Sequence, residues 1–270
     1  MQYHQAIITG ASSGLGAAFA RELAPRVSRL DLVARRAEKL RELAAELSAA
    51  HPDLRVETHP CDLADAAARG ELQETLSGAE RSGGPLLLIN NAGLGDYGDF
   101  AGSDPERNRS IIDVNITALV SLSRALLPGI LRRGGGIINI ASLAAELPIP
   151  DFALYAASKA FVASFSEALR LELREAGIPV LAACPGPVHT GFGQVARRTG
   201  CSDGRSAFHD AFYTPVPTVI RGSLRALELG RPRYYPSRRV QFAALLLRLT
   251  PLPLLRLILA RRPRRISRSS

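Results

Sequence analysis

The sequence contains no Trp, a single Met, and only two lysines among its 34 basic residues. Its three cysteines, Cys61, Cys184 and Cys201, are odd in number and widely spaced, which argues against a disulfide framework or a cysteine-ligated metal site. The five histidines also lack metal-ligand spacing, so no metal is predicted. Residues 1–5 lack the charged and apolar regions of a secretory signal, and together with the few cysteines this predicts a cytoplasmic protein.

Acidic residues are absent from the last forty positions. Residues 231–270 hold 11 arginines and no Asp or Glu, a charge of +11 against a net charge of +9 for the whole chain. The other 230 residues therefore carry −2, and a basic nucleic-acid-binding body is excluded. With 46% hydrophobic and 22% charged residues, the composition is that of a globular protein with a substantial core.

We predict one main domain over residues 1–236, followed by an apolar, arginine-rich extension over residues 237–270. The apolar run 240–260 is interrupted by two arginines and two prolines, which argues against a transmembrane helix. A basic cluster, Arg261-Arg262-Pro263-Arg264-Arg265, follows it. Two interpretations remain open: peripheral attachment to an anionic membrane, or packing of residues 242–259 over the substrate pocket or a subunit interface.

Short apolar runs alternate with helical patterns along the main domain. Strands are predicted at 6–9, 30–34, 56–60, 86–89, 136–141, 179–184 and 233–235. Helices are predicted at 17–24, 37–50, 64–77, 105–131, 152–176 and 218–229. Because the strands are apolar on both faces and separated by helices, we predict an α/β fold: a single-domain, Rossmann-like, doubly wound parallel β-sheet flanked by helices on both faces.

A Gly-rich turn joins the first strand to the first helix, with the sequence Thr9-Gly10-Ala11-Ser12-Ser13-Gly14-Leu15-Gly16. Glycines allow the backbone to turn tightly and to approach a pyrophosphate, and the N-terminus of the following helix supplies free N–H groups. The turn therefore predicts a dinucleotide site. Its predicted contacts are Gly10, Ser12, Ser13, Gly14, Leu15 and Gly16.

The end of the second strand indicates which dinucleotide binds. NAD is recognised by an acidic residue there, whereas an arginine accommodates the 2′-phosphate of NADP. The chain has Arg35 and Arg36 and no carboxylate, so NADP(H) is predicted, with Arg35 as the main contact and Arg36 assisting. The alternative is that both arginines only cap a solvated helix start. Asp62 is predicted to accept a hydrogen bond from the adenine amino group, with Leu63 packing nearby.

Tyr155 and Lys159 are spaced to lie one turn apart on one helix face. An ammonium beside a phenol lowers the phenol's pKa, which a tyrosine acid/base needs at neutral pH. Lys159 is one of only two lysines in a chain that otherwise uses arginine, and its compact amine can reach a ribose hydroxyl and a phenol together. The alternative is a pair of unrelated surface residues.

Together these motifs resemble the short-chain dehydrogenase/reductase family, from about Gln5 to Tyr235. The matching segments are TGASSGLG at 9–16, NNAG at 90–93, Asn115, Ser142, Tyr155, Lys159, Pro185-Gly186 and Thr190. The resemblance implies that Tyr155 exchanges a proton with the substrate oxygen while the nicotinamide exchanges a hydride with the adjacent carbon. It also implies that Ser142 bonds the same oxygen and that Lys159 holds the nicotinamide ribose and lowers the pKa of Tyr155. Asn115 would tie a water to Lys159, with a helix kink as the alternative.

The resemblance also assigns further cofactor contacts and an oligomeric state. Asn91, Ala92 and Gly93 would line the adenosine ribose, whereas Asn90 would be structural. Pro185 and Gly186 would belong to the nicotinamide segment, and Val188 and Thr190 would bond the carboxamide. The two long helices would pair across subunits of a homodimer or homotetramer.

The sequence indicates the substrate less directly than it indicates the cofactor or the catalytic residues. Plausible pocket residues are apolar or aromatic: Leu94, Tyr97, Leu143, Phe152 and Phe192. No fixed cation is arranged for an anionic substrate, so a lipophilic ketone or secondary alcohol is predicted. The alternative function is a non-catalytic NADP-binding regulator on the same fold.

Overall fold

The structure, a computed structural model, describes residues 3–78, 83–196 and 213–260. Its seven strands form one sheet in the order β3-β2-β1-β4-β5-β6-β7, with every neighbouring pair parallel. The strands are β1 Gln5–Thr9, β2 Arg29–Ala34, β3 Arg55–Pro60, β4 Leu86–Asn90, β5 Gly135–Ile140, β6 Val180–Ala183 and β7 Arg233–Tyr234. Each predicted strand is present within one residue at either end, and the doubly wound sheet is confirmed.

The helices follow the predicted alternation closely. They are α1 Gly14–Leu23, α2 Ala37–Ala50, α3 Ala66–Gly78, α4 Pro105–Ile112, α5 Leu119–Arg133, α6 Ala153–Glu172, α7 Phe192–Ala196, α8 Val216–Glu228, α9 Arg238–Leu249 and α10 Leu252–Ala260. α1 begins three residues earlier than predicted, inside the Gly-rich turn. α6 ends four residues early, because the chain turns away through Gly177 at φ +68°.

The sheet is covered on both faces, which explains its continuously apolar strands. Every residue of β1, β2, β4, β5 and β6 is buried. One face packs against α1, α2 and α8 through residues such as Phe19, Leu40 and Leu224. The other packs against α3, α5 and α6 through residues such as Leu72 and Leu122. Burial on both sides is the usual arrangement of an all-parallel sheet.

One segment, Pro105–Arg133, is long and apolar enough by length and composition to pass as a membrane span. It is continuous because a π-turn over Asp113–Ala118 joins α4 to α5. The buried side chains Leu122, Leu126 and Ile130 belong to the core cluster that covers the sheet. This segment is therefore a core helix of the domain.

A buried charged cluster lies at the centre of β2. The fully buried Asp31 carboxylate accepts hydrogen bonds from Gln5 at 2.7 Å and from Nε and Nη2 of Arg29, both at 2.9 Å, and lies 2.9 Å from Nε2 of His59. Burial alone would raise the pKa of Asp31, but the hydrogen bonds from His59, Arg29 and Gln5 outweigh it and hold the pKa below its ordinary value. Asp31 is therefore ionised in the folded protein.

We expect the free energy of unfolding to fall in acid, because a carboxylate with a depressed pKa stabilises the fold only while it is ionised. That contribution is complete above the unfolded-state pKa of about 3.9 and is lost as the pH falls through the folded-state pKa. Asp31→Asn removes it and leaves Arg29 buried without its carboxylate, at a cost of about 3–5 kcal/mol at neutral pH. Urea unfolding at neutral pH and at about pH 3 measures the free energy of unfolding of wild type and of Asp31→Asn.

The difference in free energy of unfolding between wild type and Asp31→Asn should be smaller at about pH 3 than at neutral pH. Glu57→Gln is the matched control, because Glu57 forms an ion pair with Arg55 within β3, and these two side chains are 40% and 60% exposed whereas Asp31 is fully buried. Its effect should be below about 1 kcal/mol at either pH. A difference for Asp31→Asn that is the same at both pH values would contradict the depressed pKa.

The C-terminal extension begins with α9, which packs against the main domain on one side. Val240 and Ala244 are buried against Leu143, with Leu247 beside them. We call these three residues of α9 its inner face. Ser237 caps the helix by accepting a hydrogen bond from the Val240 N–H at 3.2 Å. The basic cluster at 261–265 lies outside the described residues.

Candidate active site

A cavity of about 680 Å³ opens at the carboxyl ends of the strands. The predicted cofactor residues that line it are Gly10, Ser12, Ser13, Gly14, Leu15, Arg35, Arg36, Asp62, Leu63, Asn91, Ala92, Gly93, Tyr155, Lys159, Pro185, Gly186, Val188 and Thr190. Ser142 and the five predicted substrate residues, Leu94, Tyr97, Leu143, Phe152 and Phe192, line it too. Gly16 and Asn115 are not among the lining residues. The sheet thus brings nearly all predicted site residues to one cleft, while their individual roles stay predictions.

The Gly-rich turn between β1 and α1 has no room for larger residues. Gly10 and Gly14 have φ of +68° and +56°, which favour glycine. An ideal Cβ on Gly16 would lie 2.3 Å from the Gly10 carbonyl oxygen. Asn91 braces the turn by donating from Nδ2 to the Thr9 carbonyl at 2.9 Å. The backbone is therefore held close to the cavity.

The start of α1 suits an anion. Its N-cap residue Ser13 makes no side-chain capping hydrogen bond, and the first turn of the helix has no acidic residue. The first-turn N–H groups and the positive end of the helix dipole are thus available to a phosphate group. Thr9 accepts hydrogen bonds at 3.0 Å from the N–H groups of both Asn91 and Ala92, which ties the end of β4 to the same turn.

The two arginines at the end of β2 differ in their contacts. Arg36 reaches over the turn and donates to Ser13 Oγ at 2.8 Å and to Ser12 Oγ at 3.1 Å. Arg35 forms an exposed ion pair with Asp62 at 3.7 Å. Arg36 is the N-cap residue of α2 but makes no capping bond with its side chain, which disfavours a pure capping role. Both guanidinium groups lie beside the cavity, with Arg36 closer to the phosphate-binding turn.

Tyr155 is enclosed by aromatic rings. It stacks on Phe152 with ring centroids 4.2 Å apart, and the Phe192 ring lies 5.5 Å away. Burial raises the pKa of Tyr155 to about 12, although a hydrogen bond with Ser142 lowers it in part. The predicted lowering of this pKa by Lys159 is therefore wrong, because desolvation of the phenolate outweighs the stabilising contacts.

The amine of Lys159 is itself buried, so it does not offset the effect of burial on the pKa of Tyr155. Its Nζ donates to the Ile140 carbonyl at 2.8 Å and lies 5.7 Å from the centroid of the Tyr155 ring. A Cβ on Gly93 would lie 3.3 Å from Nζ, so glycine leaves the space that the amine needs. Burial lowers the pKa of Lys159 to about 8. An amine with this pKa exchanges its proton close to neutral pH.

Asn115 lies in the π-turn between α4 and α5 and is buried. Its Oδ1 accepts from the Leu94 N–H at 2.8 Å, and its Nδ2 donates to the Leu94 carbonyl and to Ser158 Oγ, both at 2.9 Å. Ser158 in turn donates to the Tyr155 carbonyl at 2.8 Å. The side chain therefore joins the loop after β4 to α6. The position of Asn115 in a π-turn matches the kink interpretation. Such turns often occur at functional sites, and the water-binding role stays a prediction.

Ser142 begins the short 3₁₀ helix Leu143–Glu146 that follows β5. Its Oγ accepts a hydrogen bond from the Ala144 N–H at 3.1 Å. At the other end of this helix the buried Glu146 carboxylate accepts from Arg233 at 2.7 Å and from the Tyr235 hydroxyl at 2.6 Å. These bonds fix the Ser142 segment to the edge of the sheet at β7.

The structure adds residues that sequence reasoning missed. They are Ala34, Cys61, Val114, Ile140, Ala141, Ala144, Pro187, Gly191, Gly193, Ala196 and Tyr213. Most are immediate neighbours of predicted residues at strand ends, which is the signal that could have found them. Tyr213, which stacks on His189, and Glu146 have no local sequence signal, because their positions depend on distant partners.

The substrate end of the cavity is largely aromatic. Tyr97 contacts Phe152 edge to face at 5.8 Å, and Phe152, Tyr155 and Phe192 form the wall beside it. The only lysines and arginines among the described lining residues are Arg35, Arg36 and Lys159. Arg35 and Arg36 lie at the end of β2, so among the described lining residues Lys159 is the only lysine or arginine on the side of the cavity that holds Tyr155 and Ser142.

Comparison with known proteins gives consistent matches. A family model described as short chain dehydrogenase matches residues 4–199. Sulfoacetaldehyde reductase 2 of Chromohalobacter salexigens is 40% identical over 218 residues, which are 77% of this chain and 79% of that protein. Very-long-chain 3-oxoacyl-CoA reductase of Anas platyrhynchos is 34% identical over 230 residues, 83% of this chain and 69% of that one. A short-chain dehydrogenase from Sphingobium yanoikuyae, solved in complex with NADPH, superposes with a TM-score of 0.77 at 31% identity and covers 90% of this chain and 92% of its own.

Proposed function

The chain belongs to the short-chain dehydrogenase/reductase family, and we propose that it is an NADP(H)-dependent oxidoreductase that interconverts a lipophilic ketone and its secondary alcohol. The observation that carries the proposal is the placement of Tyr155, Ser142 and Lys159 at one end of a cavity that has a phosphate-binding turn at the other. A bound cofactor reaching between the two ends would join them. The fold alone would not support an activity, because one fold hosts many functions.

The chain's own residues supply the proton chemistry. When bound, the nicotinamide supplies the hydride to the carbonyl carbon or accepts it in the reverse direction. Tyr155 gives its proton to the carbonyl oxygen during reduction and takes it back from the hydroxyl during oxidation. Ser142 holds that oxygen by a hydrogen bond. Lys159 restores the proton of Tyr155, which its pKa near 8 permits at neutral pH.

The enclosed phenol is held in the protonation state that reduction uses. Its raised pKa keeps Tyr155 protonated at neutral pH, and the protonated phenol is the form that donates to a carbonyl oxygen. The Phe152 ring stacks on Tyr155 and the tilted Phe192 ring lies 5.5 Å from it, so apolar surface flanks the phenol. Oxidation would require the phenolate first, which the same burial opposes.

The residues at the phosphate-binding turn fit NADP(H). A 2′-phosphate would find two guanidinium groups, Arg35 and Arg36, and no carboxylate on the strand end itself. We expect Arg36→Ala to raise the KM for NADPH about 10- to 100-fold, which is the worth of one or two charge-assisted hydrogen bonds. Arg35→Ala should act in the same direction, and the KM for NADH should change less than threefold in either variant, because NADH lacks the phosphate.

The control for both arginine variants is Arg41→Ala. Arg41 is an exposed residue of α2 that pairs with Glu38 and lies outside the cavity. Initial rates at varied NADPH and NADH give the two KM values for each protein. Equal losses with NADPH and NADH would contradict 2′-phosphate recognition by these arginines.

The apolar wall of the cavity supports a lipophilic substrate. The two relatives described above have names that point to different substrates, a small sulfonated aldehyde and a long acyl chain. A sulfonate would need a cation, and among the described lining residues the only one on the side of Tyr155 and Ser142 is Lys159, whose amine is engaged by the Ile140 carbonyl. The aromatic residues Tyr97, Phe152 and Phe192 suit an apolar or aromatic ketone.

A panel of ketones and alcohols, followed at the nicotinamide absorbance with NADPH/NADP and NADH/NAD, tests the function. We expect turnover of hydrophobic ketones with NADPH, at a kcat/KM at least tenfold higher than for sulfoacetaldehyde. The substrate proposal fails if sulfoacetaldehyde is the best substrate. The enzymatic proposal fails if the protein binds NADPH but turns over no carbonyl compound.

We also propose that the two long helices, α4–α5 and α6, pair with those of a second copy. The proposal is supported by large apolar side chains that are exposed on these helices: Ile112, Leu131, Phe161 and Leu171. Leu171→Arg should shift the protein toward monomer in light scattering by at least tenfold in dissociation constant. Leu229→Arg, at an exposed leucine just after α8, is the control. An unchanged molar mass for Leu171→Arg would show that α6 is not part of the interface.

The cytoplasmic location stays a prediction from the sequence.

A further inference from the structure

α9 has a second apolar face opposite to the inner face that packs on Leu143. Four large side chains on it are exposed to solvent: Phe242, Leu245, Leu246 and Leu249, at 67%, 54%, 57% and 71%. Their spacing of i, i+3, i+4 and i+7 places them on one side of the helix. We call these four residues the outer face of α9.

Apolar side chains are also exposed on the next helix. Leu254 and Leu257 of α10 are also about half exposed. Six of the twelve large apolar side chains that are exposed among the described residues therefore lie within residues 238–260. Single exposed leucines are ordinary, but four large apolar side chains on one side of one helix, as on the outer face of α9, mark an interaction site.

The charge around this surface identifies its partner. The chain has no Asp or Glu after Glu228 and has 11 arginines between 231 and 270. Arg238 and Arg256 are exposed on α9 and α10, the same two helices that carry the apolar side chains. A second copy of the chain would bring two such cationic segments together, which is unfavourable. The complementary partner combines an apolar layer with an anionic surface, as the acyl chains and headgroups of an acidic bilayer do.

We propose that the outer face of α9 docks this protein on the surface of an anionic lipid membrane. Phe242 and the three leucines enter the boundary between headgroups and acyl chains, and the arginines contact lipid phosphates. The helices do not cross the membrane, because α9 and α10 have 12 and 9 residues and a span needs about 20. The inner face, held on Leu143, keeps α9 against the body and turns the outer face toward the lipid.

Flotation of the full chain with lipid vesicles tests the proposal. We expect the protein to float with vesicles of phosphatidylcholine that contain one-third phosphatidylglycerol, and to stay in solution with phosphatidylcholine alone. High salt should weaken the binding, because it screens the arginines. Phe242→Ser combined with Leu245→Ser should weaken binding to the acidic vesicles at least tenfold.

The chain offers a closely matched control. Phe100 and Leu229 are exposed to 67% and 51%, close to the 67% and 54% of Phe242 and Leu245, but they lie outside α9 and α10. Phe100→Ser combined with Leu229→Ser should change binding less than twofold. Melting temperatures of both double variants verify that they fold. Deleting the extension is a poorer test, because it would uncover Leu143 beside Ser142.

Three results would overturn the proposal. The first is equal loss of vesicle binding in both double variants, and the second is equal binding to neutral and acidic vesicles. The third is absence of vesicle binding, and a dimer that dissociates only in the Phe242→Ser/Leu245→Ser variant would then assign the outer face to a second copy. None of these results depends on turnover of any substrate, so a failed activity panel and a failed flotation experiment are separate outcomes.

Discussion

Replacing Tyr155 by Phe is expected to lower kcat about 1,000-fold, which is within the range for loss of a general acid. The change removes only the hydroxyl and keeps the ring, so the stacking on Phe152 at 4.2 Å and the contact with Phe192 remain. The fold and most cofactor contacts are therefore preserved. We expect the dissociation constant for NADPH to change less than about fivefold.

Tyr97→Phe is the matched control for this loss. Tyr97 lines the same cavity and packs against the same Phe152, but its hydroxyl transfers no proton in the proposed reaction. It should keep at least one-third of the wild-type kcat. Steady-state rates at saturating NADPH and fluorescence titration of the cofactor separate turnover from binding. A Tyr155→Phe protein with more than one-tenth of the wild-type kcat would remove the phenol from the mechanism.

Gly16→Ala is expected to reduce NADPH affinity at least about 100-fold, because a misplacement of about 1 Å in a positioning segment is sufficient for losses of this size. A Cβ at this position would lie 2.3 Å from the Gly10 carbonyl oxygen and 2.6 Å from Asn91 Nδ2. Neither atom can yield easily, since one is backbone and the other is bonded to Thr9. The turn must shift, and we also expect a loss of about 1–3 kcal/mol in the free energy of unfolding.

The control for Gly16→Ala is Gly70→Ala in α3, where a Cβ would meet nothing within 4 Å. Alanine should be neutral or stabilise the helix by up to about 1 kcal/mol, and NADPH affinity should not change. Isothermal titration calorimetry and urea unfolding measure both quantities. Normal NADPH affinity in Gly16→Ala would show that the turn does not hold the pyrophosphate.

The fold and most of the cleft could be predicted because both depend on local patterns. Asn91, Ser142 and Pro185 each follow a predicted strand, and parallel strands place their carboxyl ends at one edge of the sheet. Once the strands were placed, the cleft followed without knowledge of any side-chain packing. The same applies to the Gly-rich turn, whose conformation needs glycine at fixed positions.

Features that depend on tertiary burial could not be predicted. The spacing of Tyr155 and Lys159 placed them on one helix, but not the rings that enclose the phenol or the Ile140 carbonyl that engages the amine. Glu146 pairs with Arg233, which is 87 residues away. The extension was ambiguous because α9 is apolar on two faces, and only the structure distinguishes the face that packs on Leu143 from the face that is exposed.

The sheet order has a consequence for synthesis of the chain. β1 lies between β2 and β4, and Gln5 pairs with both Arg29 and Leu86. At a ribosomal rate of about 5–20 residues per second, β1 waits about 4–16 s for its second neighbour. During that interval at least one edge of β1, a strand that is fully buried in the folded sheet, is uncovered, and such edges attract other chains. We expect the nascent chain to depend on a holding chaperone until β4 has emerged.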